Sequence, residues 1–252
     1  QVNREIDRDT AQEITKPFIE VVAAPGFSQG VMDIFEKKKK LRVVEYKGLE
    51  HMPKFIGDDV EGAYELKVLP GGRVIFQKPY LTSIRSVEDL VLDPLVEKKS
   101  VEHVVKRDPT ASEVNDLLTA WYVNIGVRSN GIVMVKDGTT VAVGSGQTER
   151  VRSVKQSIVL AYQKAMDREG ISYDSLMGIL GSEKLQTNPL EGAVMSSDAF
   201  FPFRDSIDLV GEHGVSAIIQ PGGSERDGEV IDAVNKHNIA MAFTRERCFG
   251  HF

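Results

Sequence analysis

The segment from Ser197 to Asp205 (Ser-Asp-Ala-Phe-Phe-Pro-Phe-Arg-Asp) combines residue types that could do chemistry. It holds two acids, one base and three phenyl rings. Apolar runs this dense normally enter a core, whereas charges this dense normally stay in water. The mixture predicts a pocket with a flat aromatic wall and charged hydrogen-bonding groups at its edge, which suits a planar heterocycle. The alternative is a strand that leads into a helix, with Asp205 as a solvated acid in the first turn.

Two glycine-containing loops follow predicted strands. In the first, Gly144 to Arg150, glycines let the backbone approach a ligand, and the helix N-terminus that follows favours an anion. Arg150 opposes the helix dipole there, and a residue that breaks a local rule hints at function. The second loop contains Gly222 and Gly223. Ligands in open α/β sheets bind beyond the carboxyl ends of strands, although two plain turns would explain the glycines equally well.

Two further segments carry polar groups. Ser129 and Asn130 follow a predicted helix, so Asn130 either caps that helix or aims its amide into the same cleft. The tail supplies a cation, a ring and a titratable base at Arg247, Phe249 and His251. Chain ends are usually frayed and inert, so this concentration of functional groups is unusual.

The elements that must position these residues alternate between strand and helix. Helices are predicted over residues 7–17, from 28, from 112, from 148, and over 204–212 and 227–237. Strands are predicted over residues 18–23, 41–46, 131–136, 139–145, 193–196, 215–220 and 239–243. This order favours a parallel sheet, with an antiparallel hairpin across Asp137-Gly138 and a second hairpin around Pro70. Trp121 falls on the apolar stripe of its helix and is predicted to enter the core.

Composition limits the class of protein. The 252 residues are 41% hydrophobic and 27% charged, which suits one large or two small soluble α/β domains. A net charge of −6 argues against nucleic acid as a partner. The single cysteine, Cys248, excludes an intrachain disulfide and a zinc site built from several thiolates. Because neither a membrane span nor a signal peptide is visible, we expect a cytoplasmic protein without a membrane partner.

Together these blocks resemble the transformylase domain of the bifunctional AICAR transformylase/IMP cyclohydrolase family. The blocks occur in the family's order: Phe18 to Pro25, Ser129-Asn130, Gly144 to Arg150, Ser197 to Asp205, and Gln220 to Ser224. The resemblance continues into the tail and covers essentially the whole chain. It implies an α/β fold of cytidine-deaminase-like lobes without zinc, with mixed sheets flanked by helices. Residues 1–110 would form the remainder of the first lobe and a connector, and residues 111–252 the second lobe with the substrate-binding loops.

The resemblance also implies a reaction. The family transfers a formyl group from the co-substrate 10-formyltetrahydrofolate to the 5-amino group of AICAR in IMP biosynthesis, and its active form is a homodimer. By resemblance, Asn130 and Asp205 face the reacting groups and are the expected catalytic residues. The expected substrate-binding residues are Arg150, Phe200, Arg247, Phe249, His251, Gly222 and Gly223. Ser129 and Asp198 match positions near a potassium ion.

The chain also departs from the family's pattern. The family's catalytic Lys-His pair lies in a Ser-Lys-His-Val segment, whereas the adjacent pair here, Lys236-His237, is predicted to be a solvated helix end. The cyclohydrolase domain has no counterpart in this sequence. We therefore expect turnover to need an N-terminal transformylase/cyclohydrolase segment. The alternatives are a non-catalytic module that binds ribotide and folate, and a relative of the zinc deaminases, whose His-x-Glu and Pro-Cys-x-x-Cys signatures are missing.

Overall fold

The computed structural model describes residues 1–48, 51–98, 100–171, 185 and 187–250. It divides into two compact units. The first unit comprises residues 1–54, 58–65 and 77–79, and the second comprises residues 55–57, 66–76 and those from Tyr80 onward. None of the described helices has the length and apolar character needed to span a membrane.

The first unit contains four short elements. They are, in chain order, α1 (Arg8–Thr15), β1 (Val21–Ala24), α2 (Met32–Phe35) and β2 (Arg42–Glu45). Strands β1 and β2 pair in parallel, and α1 begins where Asp7 accepts a 2.8 Å hydrogen bond from the Thr10 N–H. The predicted helix from residue 28 is shorter than expected. Gly30 has a φ of 80°, in the left-handed region, so the helix forms only after it.

An antiparallel hairpin follows at the position that the Pro70 turn predicts. Its strands are β3 (Glu65–Leu69) and β4 (Arg73–Gln77), which form a two-stranded sheet of their own. Gly71 and Gly72 have positive φ angles in the turn, which glycine adopts at low cost.

The second unit is built on one mixed sheet. Its remaining elements are β5 (Leu95–Lys98), β6 (Val101–Val104), α3 (Ala111–Ile125), β7 (Ile132–Lys136), β8 (Thr139–Gly144), α4 (Arg150–Glu169), β9 (Val194–Ser197), α5 (Asp205–Glu212), β10 (Ala217–Gln220), α6 (Asp227–Lys236) and β11 (Ala240–Phe243). The strand order is β11-β10-β9-β7-β8. Strands β9, β10 and β11 are parallel, whereas β7 runs antiparallel to β9 and β8. The mixed α/β architecture with helices flanking the sheet is therefore confirmed, as are the strand–helix order and the Asp137-Gly138 hairpin.

Side chains alternate between the two faces of this sheet. Met134, Met195 and Ile218 pack on one face with apolar residues of α4, α5 and α6. The opposite face packs against α3, where Trp121 is completely buried as predicted. Both faces are covered, which explains why the central strands read as continuous apolar runs.

The second unit includes most of the segment predicted to be a connector, including residues 80–110. Ile84 and Leu90 pack in the same cluster as Trp121. Val91 also exchanges backbone hydrogen bonds of 3.0 and 2.9 Å with Phe243 at the edge of the sheet. The boundary predicted between residues 110 and 111 thus lies inside this unit. Packing places the division near Tyr80, because the intervening segment supplies part of the core.

Candidate functional site

The predicted site segments converge on one edge of the five-stranded sheet. The parallel strand β9 ends there at Ser197, and the antiparallel strand β7 begins there at Ile132, directly opposite. Strand β8 ends at the same edge, since Gly144 pairs with Ile132. Residues that follow β8 and β9 or precede β7 are therefore brought together, although they are distant in the sequence.

At this edge lies a cleft of about 660 Å³, a volume typical of small-molecule sites. Six of the predicted site residues line it: Asn130, Arg150, Phe200, Asp205, Arg247 and Phe249. The other lining residues are Thr148, Glu149, Val151, Ala199, Pro202, Phe203 and Ser206. The cleft thus combines three phenyl rings with two guanidinium groups and two carboxylates.

A buried ion pair forms the floor of the cleft. The side chain of Arg150 is 6% exposed, that of Asp198 is fully buried, and the two form a close salt bridge. Arg150 Nη1 also donates to Ser197 Oγ at 2.8 Å. A charge this deeply buried needs a partner to offset its desolvation. Arg150 begins α4 against the helix dipole because Asp198, and not the dipole, compensates its charge.

Asn130 is held at both ends of its side-chain amide. Its Oδ1 accepts a 2.7 Å hydrogen bond from Arg150 Nη2, and its Nδ2 donates a 2.8 Å hydrogen bond to the backbone oxygen of Gln147. Its own carbonyl accepts from Ser153 Oγ at 2.8 Å. Helix α3 ends at Ile125, so Asn130 does not cap it. Of the two interpretations, the amide at the cleft is the one observed, and its second N–H has no acceptor among the described residues.

Asp205 lies at the N-terminus of α5, on the wall of the cleft. Its Oδ1 accepts a 2.7 Å hydrogen bond from the Ser206 N–H, which fixes the carboxylate against the first turn. Its Oδ2 has no hydrogen-bond partner among the described residues and can accept an N–H from a ligand. The preceding Arg204 does not pair with Asp205, because it is bound to Asp208 at 2.7 Å.

Two aromatic–cation pairs involve phenyl rings of the cleft, although only one of their two guanidinium groups, that of Arg247, lines it. The guanidinium carbon of Arg247 lies 4.7 Å from the centre of the Phe200 ring. That of Arg226 lies 4.8 Å from the ring of Phe203. Such stacking holds a guanidinium flat while leaving its N–H groups free for anions. Of the predicted aromatic wall, Phe201 is the exception, because it is fully buried in the core.

Two of the predicted substrate-binding residues, Gly222 and Gly223, do not line this cleft. They line a second cleft of about 670 Å³ beyond β10, with Asp227, Phe243 and Arg245. Gly222 fits there because a Cβ would overlap the Phe243 ring. His251 lies outside the described residues.

The residues predicted to lie near potassium, Ser129 and Asp198, contact each other. Asp198 Oδ1 accepts from Arg150, while its Oδ2 accepts from Ser129 Oγ and, at 2.9 Å, from the Gly131 N–H. The carboxylate is thus paired with Arg150, and both of its oxygens accept hydrogen bonds from described residues, which leaves potassium binding untested. Among the described residues, no group of three or more His, Cys, Asp and Glu side chains is arranged to hold a metal ion. Potassium binding therefore stays a prediction.

The structure also gives Lys236 and His237 a role that the sequence did not predict. Both contact Asp208 Oδ1, at 3.2 and 2.9 Å, and so tie α6 to α5. Helix α6 ends at Lys236, which is exposed as predicted, whereas His237 is largely buried and is not the solvated residue that the sequence predicts. Sequence reasoning also missed Glu246, whose carboxylate accepts hydrogen bonds from Tyr80, Thr82 and Ser83.

Comparison with known proteins adds the family. The family model for the AICARFT/IMPCHase bienzyme matches residues 1–160. Relatives named bifunctional purine biosynthesis protein PurH are 40% identical over 249 residues in Aquifex aeolicus, and 38% identical over 250 residues in Acetivibrio thermocellus. Each alignment covers 99% of this chain but 40% of the relative, so the chain spans about two fifths of the length of these proteins.

A solved structure is similar at a much lower level. A diaminohydroxyphosphoribosylaminopyrimidine deaminase/reductase from Thermotoga maritima covers 50% of this chain and 35% of its own, with 19% identity and a TM-score of 0.31. A likeness this weak carries no argument about the fold. The family model, in contrast, matches more than half of the residues. This chain therefore belongs to the AICARFT/IMPCHase bienzyme family.

Proposed function

We propose that the cleft binds AICAR, and that the chain acts in formyl transfer from 10-formyltetrahydrofolate to the 5-amino group of AICAR, a step of purine biosynthesis. One observation carries the proposal. In a chain of this family, Asn130, Arg150, Asp205 and Arg247 converge on one aromatic-walled cleft of about 660 Å³. That arrangement suits a flat, anionic ribotide.

The proposed roles follow from the side chains that line the cleft and from the hydrogen bonds that they already make. The Phe200 and Phe249 rings would pack against the flat heterocycle. Arg247 is exposed and is held over Phe200, so its remaining N–H groups would bind the phosphate or ribose oxygens. Arg150 is committed to Asp198 and Asn130, so it would act by orienting Asn130 and not as the main anion contact.

The chemistry needs help because the amine of AICAR is weakly nucleophilic, since its lone pair is delocalised toward the carboxamide. Holding that amine against the formyl carbon would supply most of the acceleration. The free Oδ2 of Asp205 would accept an N–H from the amine, which directs its lone pair. The free Nδ2–H of Asn130 would donate to an oxygen, either of the carboxamide or of the tetrahedral intermediate.

The proposal extends to features that the family implies. It includes a fold of cytidine-deaminase-like lobes, action as a homodimer, and folate bound beside the ribotide. The weak structural likeness to the deaminase/reductase does not support the first of these, and each is testable independently. Sedimentation would measure the oligomeric state.

The natural polypeptide that carries this sequence provides the test. Calorimetry would measure AICAR binding, and the conversion of 10-formyltetrahydrofolate to tetrahydrofolate would measure turnover. We expect saturable binding and AICAR-dependent release of tetrahydrofolate. Binding without turnover would favour a non-catalytic ribotide-binding module, and the absence of binding would contradict the assignment of the cleft.

A further inference from the structure

Burial alternates along the tail that follows β11. Arg247 and Phe249 are exposed and line the cleft, whereas Cys248 between them is buried. The Cys248 N–H donates to the Asp198 carbonyl at 3.1 Å. Gly250 and Ser129 exchange two hydrogen bonds, of 2.9 and 3.1 Å. The tail is therefore fixed from behind at alternate positions, while the residues between them face the cleft.

Glu246 supplies the first of these anchors. Its carboxylate accepts a 2.9 Å hydrogen bond from the Ser83 N–H and a 3.2 Å hydrogen bond from the Tyr80 hydroxyl. It also accepts short hydrogen bonds from the hydroxyls of Ser83 and Thr82. Four donors on one carboxylate form a charge-assisted cluster, which is stronger and more directional than neutral hydrogen bonds.

The cluster is continuous with the core. The Thr82 hydroxyl, which donates to Glu246, accepts from the indole N–H of Trp121 at 3.2 Å and from the Ile84 N–H at 3.1 Å. Both Trp121 and Thr82 are almost completely buried. The position of Glu246 is therefore set by Thr82 and, through it, by Trp121 of α3, and not by residues of the cleft.

Glu246 itself does not line the cleft. We propose that Glu246 is a positioning residue, which holds Arg247 and Phe249 toward the ribotide by binding Tyr80, Thr82 and Ser83 behind them. This inference rests on the proposed function. Without the anchor, the tail would order only when ligand binds, and affinity would fall by the cost of that ordering.

The first test needs no ligand. Glu246→Gln keeps the size of the side chain but removes its charge, and its NH₂ group cannot accept from any of the four donors. In the natural polypeptide, hydrogen exchange measured by mass spectrometry should become about tenfold faster in peptides that cover residues 245–250. Peptides that cover β9 and β10 should be unchanged. Unchanged exchange in the tail would overturn the proposal.

The second test measures affinity. Glu246→Gln should raise the Kd of the folded enzyme for AICAR about tenfold and raise KM more than it changes kcat. Ser83→Ala, which keeps the Ser83 N–H, should have a smaller effect. Glu212→Gln is the matched control, because it removes the same charge from an exposed site at the end of α5 and should leave the Kd unchanged.

The two tests separate the possible failures. A merely structural Glu246 would lower the folded fraction and leave the Kd of folded molecules unchanged, which would overturn the proposal. If the unsubstituted polypeptide binds no AICAR, the proposed function fails, and the exchange measurement still decides whether Glu246 holds the tail.

Discussion

Nη2 of Arg150 donates a 2.7 Å hydrogen bond to Oδ1 of Asn130. The same guanidinium is paired with the buried Asp198, so the core of the protein fixes the amide that faces the cleft. This link gives Asn130 one orientation before any ligand arrives. Preorganisation of this kind avoids paying for the alignment of polar groups during binding or reaction.

The buried pair predicts a large loss of stability in Asp198→Asn. The substitution leaves the Arg150 guanidinium buried without a counter-charge, which typically costs about 3–5 kcal/mol. Urea unfolding would measure the change. Glu149→Gln is the control, because it breaks an exposed pair with Arg152 that surface solvation already weakens. Equal losses in the two variants would contradict the role given to the buried pair.

A second prediction concerns the pH dependence of stability. Burial would raise the pKa of Glu113, but hydrogen bonds from Arg107, at 2.8 and 3.0 Å, and from the Thr110 N–H, at 2.8 Å, outweigh it and lower the pKa to about 2. In the unfolded chain a glutamate has a pKa of about 4.3. The stabilisation is therefore full above that pH and is lost as the pH falls through about 2.

Glu113→Gln tests this directly. The difference in unfolding free energy between the two proteins should be roughly 2–3 kcal/mol at pH 7. It should shrink steadily as the pH is lowered from 5 toward 2. Urea unfolding at a series of pH values would measure it, and a difference that does not vary with pH would show that the charge of Glu113 is not responsible.

A third prediction concerns the close approach of β8 to α4. A Cβ on Gly144 would overlap the backbone oxygen of Ser153, which cannot move without shifting α4. We expect Gly144→Ala to cost about 1–3 kcal/mol by overpacking and to displace Arg150. Gly126→Ala is the control, because its Cβ would meet only a carbonyl oxygen at 3.6 Å. Thermal unfolding would compare them, and a neutral Gly144→Ala would contradict the packing argument.

The strands were predictable where the apolar pattern of the sequence matches the burial of the residues in the folded protein. The predicted strands over residues 131–136 and 239–243 differ from β7 and β11 by one residue at most, because apolar runs bounded by turns read the same in the sequence and in a buried sheet. The domain boundary was not predictable. The segment around Ile84 and Leu90 looks polar and irregular in the sequence. Both residues nevertheless pack in one cluster with Trp121, which lies about 30 or more positions further along the chain.

The sequence predicted six residues that converge on one cleft, but not the contacts that these residues make. The resemblance implied that Arg150 binds substrate, whereas its buried side chain is paired with Asp198 and donates to Asn130. Glu246 gave no signal by type, since a glutamate between two arginines reads as a solvated charge. Its role depends on Tyr80, Thr82 and Ser83, more than 160 positions away in the chain.

A fourth prediction concerns Arg247. Because its guanidinium lies over Phe200 at the cleft, Arg247→Ala should raise the Kd for AICAR at least about tenfold through the loss of a charge-assisted contact. Arg226→Ala is the matched control, because Arg226 also stacks on a phenyl ring but does not line the cleft. Calorimetry would measure the Kd of both variants for AICAR. An equal rise in Kd would mean that the loss of any nearby positive charge weakens binding, and not the loss of a contact made by Arg247.

The turnover of Asp205→Asn tests the central claim most directly. Asparagine keeps an oxygen that can accept from the Ser206 N–H, so the melting temperature should stay close to that of the unsubstituted protein. The neutral amide replaces the carboxylate that we propose faces the amine, so kcat for formyl transfer to AICAR should fall at least about a hundredfold. Unchanged turnover per folded molecule would contradict the account of this cleft as the site of the reaction.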